Sequence, residues 1–177
     1  MKFLYLLLFI IFSTGCSSQK NIPGLEKLKT IRSFTSSNCP EDGTCQLKLT
    51  PNKSIDLKQD EFGQFYGELI DSDDILVSYS YRRNPPENAV DAHYSETYYF
   101  SIPKSTKQLD LYDADLQKVN LVVDRQCYCK GTAGFFKITS GRLSLNIKKN
   151  ELTLNGIFSN EKLPLLITKV DEKVSLE

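Results

Sequence analysis

Apolar residues recur at every second position over most of this chain, and that rhythm limits the folds open to it. The last third is clearest: RLSLNI (142–147), then Lys148-Lys149-Asn150, then ELTLNGIF (151–158). Leu143, Leu145 and Ile147 alternate with polar partners, as do Leu152 and Leu154, and the polar triplet between them suits a hairpin turn. The same period-two reading covers Leu47 and Leu49, Ile55 and Leu57, GQFYGELI (63–70), ILVSYSYRR (75–83), ETYYFSI (96–102), QLDLYD (108–113) and VNLVVDRQCYC (119–129). LPLLITKV (163–170) reads as the last strand, entered through Pro164, and Gly156 as a bulge in the strand before it. GLEKLKTI (24–31) offers one or two helical turns or a first strand, and ADLQK (114–118) a short helical turn. Many short strands with regularly spaced turns predict an all-β domain. The expected form is an antiparallel β-sandwich, with an up-and-down β-barrel as runner-up that could enclose an apolar ligand.

The start of the chain follows a different rule. MKFLYLLLFIIFSTGCSSQKN places one positive charge, Lys2, before an unbroken apolar run from Phe3 to Phe12. Ser13, Thr14 and Gly15 then lead into Cys16. Charge, apolar core and small residues make a signal-peptide layout, and the run is shorter than the roughly 20 residues a spanning helix needs. Gly15-Cys16 resembles the junction of the bacterial lipoprotein signal, in which a small residue precedes the acceptor cysteine. That resemblance covers residues 1–16. It implies a signal peptide over 1–15, removed so that Cys16 becomes a lipidated first residue, palmitate among its acyl chains. It also implies a chain held at a membrane of the bacterial cell envelope, facing the periplasm or the exterior. Residues 16–24 then read as a polar tether and 25–177 as a single β-domain.

Charge excludes one class of partner. The chain carries 22 basic and 22 acidic residues, and loss of the signal would remove only Lys2. A near-neutral chain without a basic run does not suit nucleic acid, where phosphate neutralisation needs clustered Lys and Arg.

The remaining four cysteines are Cys39, Cys45, Cys127 and Cys129, and an even number in an exported chain reads as disulfides. In an extended strand, residues i and i+2 lie about 6.6 Å apart, at the outer edge of the range for a bridge. The expectation is therefore that the pair Cys39/Cys45 bonds across to the pair Cys127/Cys129. Each such bridge would close a loop of about 80 to 90 residues. The alternatives are local pairing, Cys39 with Cys45 and Cys127 with Cys129, which would favour a thiol–disulfide redox role for Cys127-Tyr128-Cys129, and a zinc site, whose usual ligand spacing these pairs do not have.

Other chemistry is thin. His93, the one histidine, has Asp91 and Ser95 beside it, but residues two apart do not assemble a triad, and we read it as a solvated loop residue. Asp71, Asp73 and Asp74 read as turn formers, since the full calcium-loop pattern is absent. Asp110, Asp113 and Asp115 make a second acidic stretch that nothing in the sequence brings together. KGTAG (130–134) lacks the Lys-Ser/Thr of a phosphate loop. Tyr79, Tyr81, Tyr94, Tyr98 and Tyr99 read as sheet packing, with an exposed binding face as the alternative. The loop RRNPPENAVDAH (82–93) is long for a compact domain, and any protein or small-ligand partner is expected near it. No metal or cofactor is expected. The chain reads as an envelope protein with a binding or structural role rather than an enzyme, the redox protein and the apolar-ligand carrier being the alternatives.

Overall fold

A computed structural model describes residues 25–88 and 92–176. The signal, Cys16 and the tether lie outside the described residues, as does 89–91 of the long loop. No described helix is long and apolar enough to cross a membrane. Among the described residues there are ten strands and two 3-10 helices, Leu25–Lys27 before the first strand and Asp113–Val119 between the fifth and the sixth. The strands are β1 (Arg32–Thr35), β2 (Gly43–Gln59), β3 (Phe65–Arg83), β4 (Ser95–Pro103), β5 (Gln108–Tyr112), β6 (Val122–Gln126), β7 (Gly134–Lys137), β8 (Ser140–Lys148), β9 (Glu151–Ser159) and β10 (Lys169–Ser175).

They form two antiparallel sheets, one ordered β1-β2-β3-β4-β6-β7 and the other β10-β9-β8-β5. The expected sandwich is the fold, and the two sheets do not close into a barrel. The alternation explains the layers. Leu47 and Leu49 of β2, Val77, Tyr79 and Tyr81 of β3, and Tyr98, Phe100 and Ile102 of β4 bury one face of the larger sheet. Leu143, Leu145 and Ile147 of β8, with Leu152, Leu154 and Phe158 of β9, meet them from the smaller. The space left among Tyr79, Tyr98, Phe100, Leu143, Leu154, Phe158 and Val170 is about 10 Å³, room for one water at most. At one side, the edge strands meet through side chains rather than a ladder. Ser36, just past β1, donates to the buried Glu172 of β10, and the Asn38 amide donates to the Asp171 carbonyl at 2.8 Å.

Turn chemistry follows the sequence closely at β8–β9, where Lys149 and Asn150 both take positive φ (50° and 61°) in a two-residue hairpin. Gly156 differs from expectation. The β8–β9 register runs through it without a shift, and a Cβ there would stand 2.3 Å from the Phe158 ring. The glycine makes room for an aromatic ring rather than marking a bulge.

The irregularity falls elsewhere, in the β2–β3 hairpin. Pro51 faces Ile75 and Lys53 faces Asp71, so Ser72, Asp73 and Asp74 stand opposite Asn52 alone. Excess residues on one strand bend a ladder. Beyond this point the hairpin, residues 53–71, swings over the outer face of the larger sheet. The Ser54 hydroxyl donates to Ser101 of β4 at 2.8 Å, and Ile55 joins Leu76, Val122, Tyr99 and Phe135 in a second small core. Gly67 allows the closest approach, since a Cβ there would lie 2.4 Å from the Phe135 ring.

Among the described residues, none lies across the outer face of the smaller sheet, where Tyr112 and Ile157 are exposed. Its register sets side chains in rows across four strands. Tyr112, Arg142, Ile157 and Lys169 make one row. Asp110, Ser144, Asn155 and Asp171 make the next, followed by Gln108, Asn146, Thr153 and Lys173.

The second core generates a prediction. Phe135→Ala should cost about 1–3 kcal/mol in chemical denaturation, less than a fully buried phenylalanine. Hydrogen exchange should show protection lost over residues 53–70 and kept in β8 and β9; uniform loss throughout the chain would mean that the hairpin is not separately held.

Candidate functional site

Strand order gathers three loops at one end of the larger sheet. Cys45 of β2 pairs with Tyr81 of β3, Tyr81 with Glu96 of β4, and Glu96 with Arg125 of β6. The turn before β2, the loop after β3 and the turn after β6 therefore open on the same end, and all four cysteines sit there.

Their pairing corrects the expectation of cross-linked pairs. Cys39 bonds Cys45, and Cys127 bonds Cys129, with Cα atoms 5.4 and 5.2 Å apart. Two physical reasons account for this. Strands β3 and β4 stand between β2 and β6, and three inter-strand spacings of about 4.8 Å put the two pairs far beyond the reach of a bridge. And β6 ends at Gln126, so Cys127-Tyr128-Cys129 is a bend rather than an extended run, which closes the distance between its ends. In this pairing all four sulfurs are taken up in bridges, and among the described residues no group of three His, Cys, Asp or Glu is placed to hold a metal.

The Cys39–Cys45 turn grips the base of the long loop. Asp42 accepts from the Tyr81 hydroxyl at 2.8 Å and from Arg83 Nε at 3.1 Å, and its carbonyl accepts from the Asn84 amide at 2.8 Å. The Arg83 guanidinium lies over the Tyr94 ring, 4.9 Å from its centre. Pro85 and Pro86 beyond it are exposed, and so is His93, which has no part in the network that follows.

Behind these loops lies a buried ionic centre that the alternation pattern hid, because Glu96 and Arg125 occupy apolar-face positions in their strands. Glu96 has no exposed surface and Arg125 retains 5%. Arg125 Nε stands 3.8 Å from the Glu96 carboxylate and donates to the Tyr94 hydroxyl at 3.1 Å, while Nη1 donates to Thr132 Oγ1 at 2.6 Å and to its carbonyl at 3.0 Å. Tyr94 donates to Glu96. The carboxylate also accepts the backbone N–H groups of Leu166 and Ile167, each at 2.9 Å. Residues 163–168 are thus an irregular strap. Two of its amides go to the Glu96 side chain and those of Leu163 and Leu165 to nearby backbone carbonyls instead of a ladder, so the last strand begins at Lys169 and not at Leu163. Among the described residues no buried side-chain nitrogen or oxygen lacks a partner. Burial, with the Glu96 carboxylate adding to it, pushes the Tyr94 phenol up to about 12 against the pull of Arg125.

The other candidates disperse. Tyr79, Tyr81, Tyr94 and Tyr98 are buried, and Tyr99 is half-buried in the second core, so the tyrosines are packing. Asp71 is an exposed partner of Lys53, whose ammonium holds its carboxyl below the ordinary range, and Asp73 and Asp74 lie in the β3 irregularity. Asp110 pairs with Arg142, Asp113 accepts the Gly141 amide at 2.9 Å, and Asp115 pairs with Lys118 at 3.0 Å. Comparison with family models, curated proteins and solved structures finds no match to this chain.

Two predictions follow from the ionic centre. Arg125→Met strands a buried carboxylate and should cost about 3–5 kcal/mol by denaturant titration, while the Glu96→Gln, Arg125→Met double variant should recover part of that loss; simple additivity of the two would contradict the pairing. The Tyr94 phenol has a folded pKa above its unfolded value, so its contribution is complete below pH 10 and is lost as pH rises toward 12. Stability should therefore fall over that interval, with a shallower slope in Tyr94→Phe.

Proposed function

We propose that this chain is a lipid-anchored protein of the bacterial envelope with a non-catalytic binding or structural role, its β-domain carried on a short tether behind Cys16. The observation that carries the anchor is the Lys2, Phe3–Phe12, Ser13-Thr14-Gly15-Cys16 succession. Disulfide-bonded cysteines at the disulfide end agree with a non-cytoplasmic compartment. The non-catalytic reading rests on how the ionisable groups are used. Glu96 and Arg125, the buried pair, are consumed in holding backbone and loops rather than turned toward an opening. The loops at this end are the surface on which we place a protein or small-ligand partner.

A thiol–disulfide role has one observation in its favour. Tyr128, between the bonded Cys127 and Cys129, is 82% exposed, so an attacking thiol would find the bend accessible. A carrier of an apolar ligand finds no support in the space between the sheets around Tyr98 and Phe158, about 10 Å³ and too small for such a ligand.

Replacing Cys16 by Ala should move the protein from the membrane fraction to the soluble fraction on cell fractionation, with circular dichroism of the domain unchanged. Retention in the membrane would overturn the anchor. Thiol counting under mild reductant decides the rival: selective opening of Cys127–Cys129 favours redox work, and joint resistance of both bridges favours a structural one.

A further inference from the structure

We propose that the outer face of the four-stranded sheet binds a neutral oligosaccharide chain. This goes beyond the envelope reading and does not depend on the anchor. The two outer faces of the sandwich are treated differently. The larger sheet folds its own hairpin across its outer face, whereas among the described residues nothing lies across the rows of the smaller.

The chemistry of those rows selects the ligand. Ser144, Asn146, Thr153 and Asn155 sit at the centre of the face and line, with Asp110 and Arg142, a depression of about 190 Å³. Amides and hydroxyls both donate and accept, which is what vicinal hydroxyl groups require of a partner. Charges on the face come in opposite signs. Asp110 and Arg142 form a two-point pair, Nε to Oδ1 and Nη2 to Oδ2, both 2.9 Å. Lys173 lies 3.1 Å from Glu151. A surface without a single-sign field does not recruit a polyanion. Nor does it suit a protein partner, whose interface needs an apolar centre. The exposed large apolar residues in these rows are Tyr112 and Ile157, on either side of Arg142.

Tyr112 is fixed for stacking. Its hydroxyl donates to Asp110 Oδ2 at 3.1 Å, and the Arg142 guanidinium lies 5.0 Å from its ring centre. Half of its surface remains open, 52%, so a sugar ring can lie against it while the Asp110–Arg142 pair offers hydrogen bonds beside it. A second depression, about 400 Å³, begins where the Ser140–Ser159 pair ends the sheet, lined also by Asn160, Glu161 and Lys162. Two polar depressions on either side of the Tyr112–Arg142–Ile157 row, along the length of β8 and β9, suit a linear chain of sugar units better than a single one.

The test titrates the full-length chain, solubilised in detergent, with cellotetraose, maltotetraose and the β-1,4-linked tetramer of N-acetylglucosamine. It follows the side-chain amide signals of Gln108, Asn146 and Asn155 by NMR. Shifts of these signals with at least one tetramer at millimolar concentration are expected. Tyr112→Ala, at an exposed position that leaves the fold intact by circular dichroism, should weaken that binding by about tenfold, the scale of one lost stacking contact. Asn155→Ala, on the central row, should weaken it without touching the aromatic. The proposal is overturned if none of the three sugars shifts the amides, if the shifts fall on the disulfide end, or if Tyr112→Ala binds as the parent does.

Discussion

The Glu96 carboxylate holds together parts of the chain that no ladder joins. It sits on β4 in the middle of the larger sheet, yet it fixes the strap before β10 through two backbone amides and, with Tyr94, the guanidinium that holds the turn after β6. A buried charge is expensive, and a buried ion pair is often no more stabilising than well-packed apolar side chains. What Glu96 contributes is placement. A carboxylate with four lone-pair sites can accept from a tyrosine and two amides while facing an arginine, and no apolar residue can fix an irregular segment in that way. The strap needs such a fixture because its own amides pair with no neighbouring strand. Tyr98 completes the arrangement by donating to the Ile167 carbonyl at 2.6 Å, so two adjacent residues of the strap are satisfied from β4 side chains.

The two disulfides act on a shorter range than their number suggests. Each closes only a few residues, so neither removes much entropy from the unfolded chain compared with a bridge between distant segments. Their effect is local. Cys39–Cys45 closes the turn whose Asp42 receives Tyr81, Arg83 and Asn84, and that contact defines where the long loop departs from β3. Cys127–Cys129 closes the bend that leads to Thr132, the partner of Arg125. Loops at this end are therefore shaped by short covalent rings and by one buried salt bridge, while the opposite end relies on ordinary hairpins and the bent arm.

Period two in the sequence carries the strands and their inward faces almost completely, because a strand buried on one face must alternate whatever its neighbours are. Strand order is another matter. Nothing in the residues around Cys45 or Cys127 reveals that β3 and β4 lie between them, and this alone decides that the sulfurs pair locally. LPLLITKV has the composition of a strand, but only Lys169 and Val170 join one, because a carboxylate some 70 residues away takes the amides of Leu166 and Ile167. Glu96 itself is the residue that sequence reasoning passes over. A single acid within ETYYFSI looks like the polar start of a strand, and only the arrival of Arg125, Tyr94 and the strap makes it central. The dispersal of the aspartates has the same origin, since sequence neighbours such as Asp110 and Asp115 turn to separate partners, Arg142 on β8 and Lys118 in the Asp113–Val119 helix.

The unequal treatment of the two outer faces follows from one local feature. Because three residues of β3 stand opposite Asn52, the β2–β3 hairpin cannot continue in the plane of its sheet, and its apolar residues, Ile55 and Leu57, must find cover elsewhere. They find it on Leu76, Val122, Tyr99 and Phe135, outward-facing residues that would otherwise meet water. The pattern of the larger sheet is accordingly apolar on both faces where the arm crosses it. The smaller sheet has no long hairpin to fold back, and its outward positions are polar nearly throughout, as an antiparallel sheet with one solvated face requires. Solvation alone is indifferent to which polar residues stand there, and long charged side chains would serve it well. The central rows instead hold short, planar or hydroxylated side chains beside a tyrosine braced by an ion pair, an arrangement with fixed geometry on a rigid support.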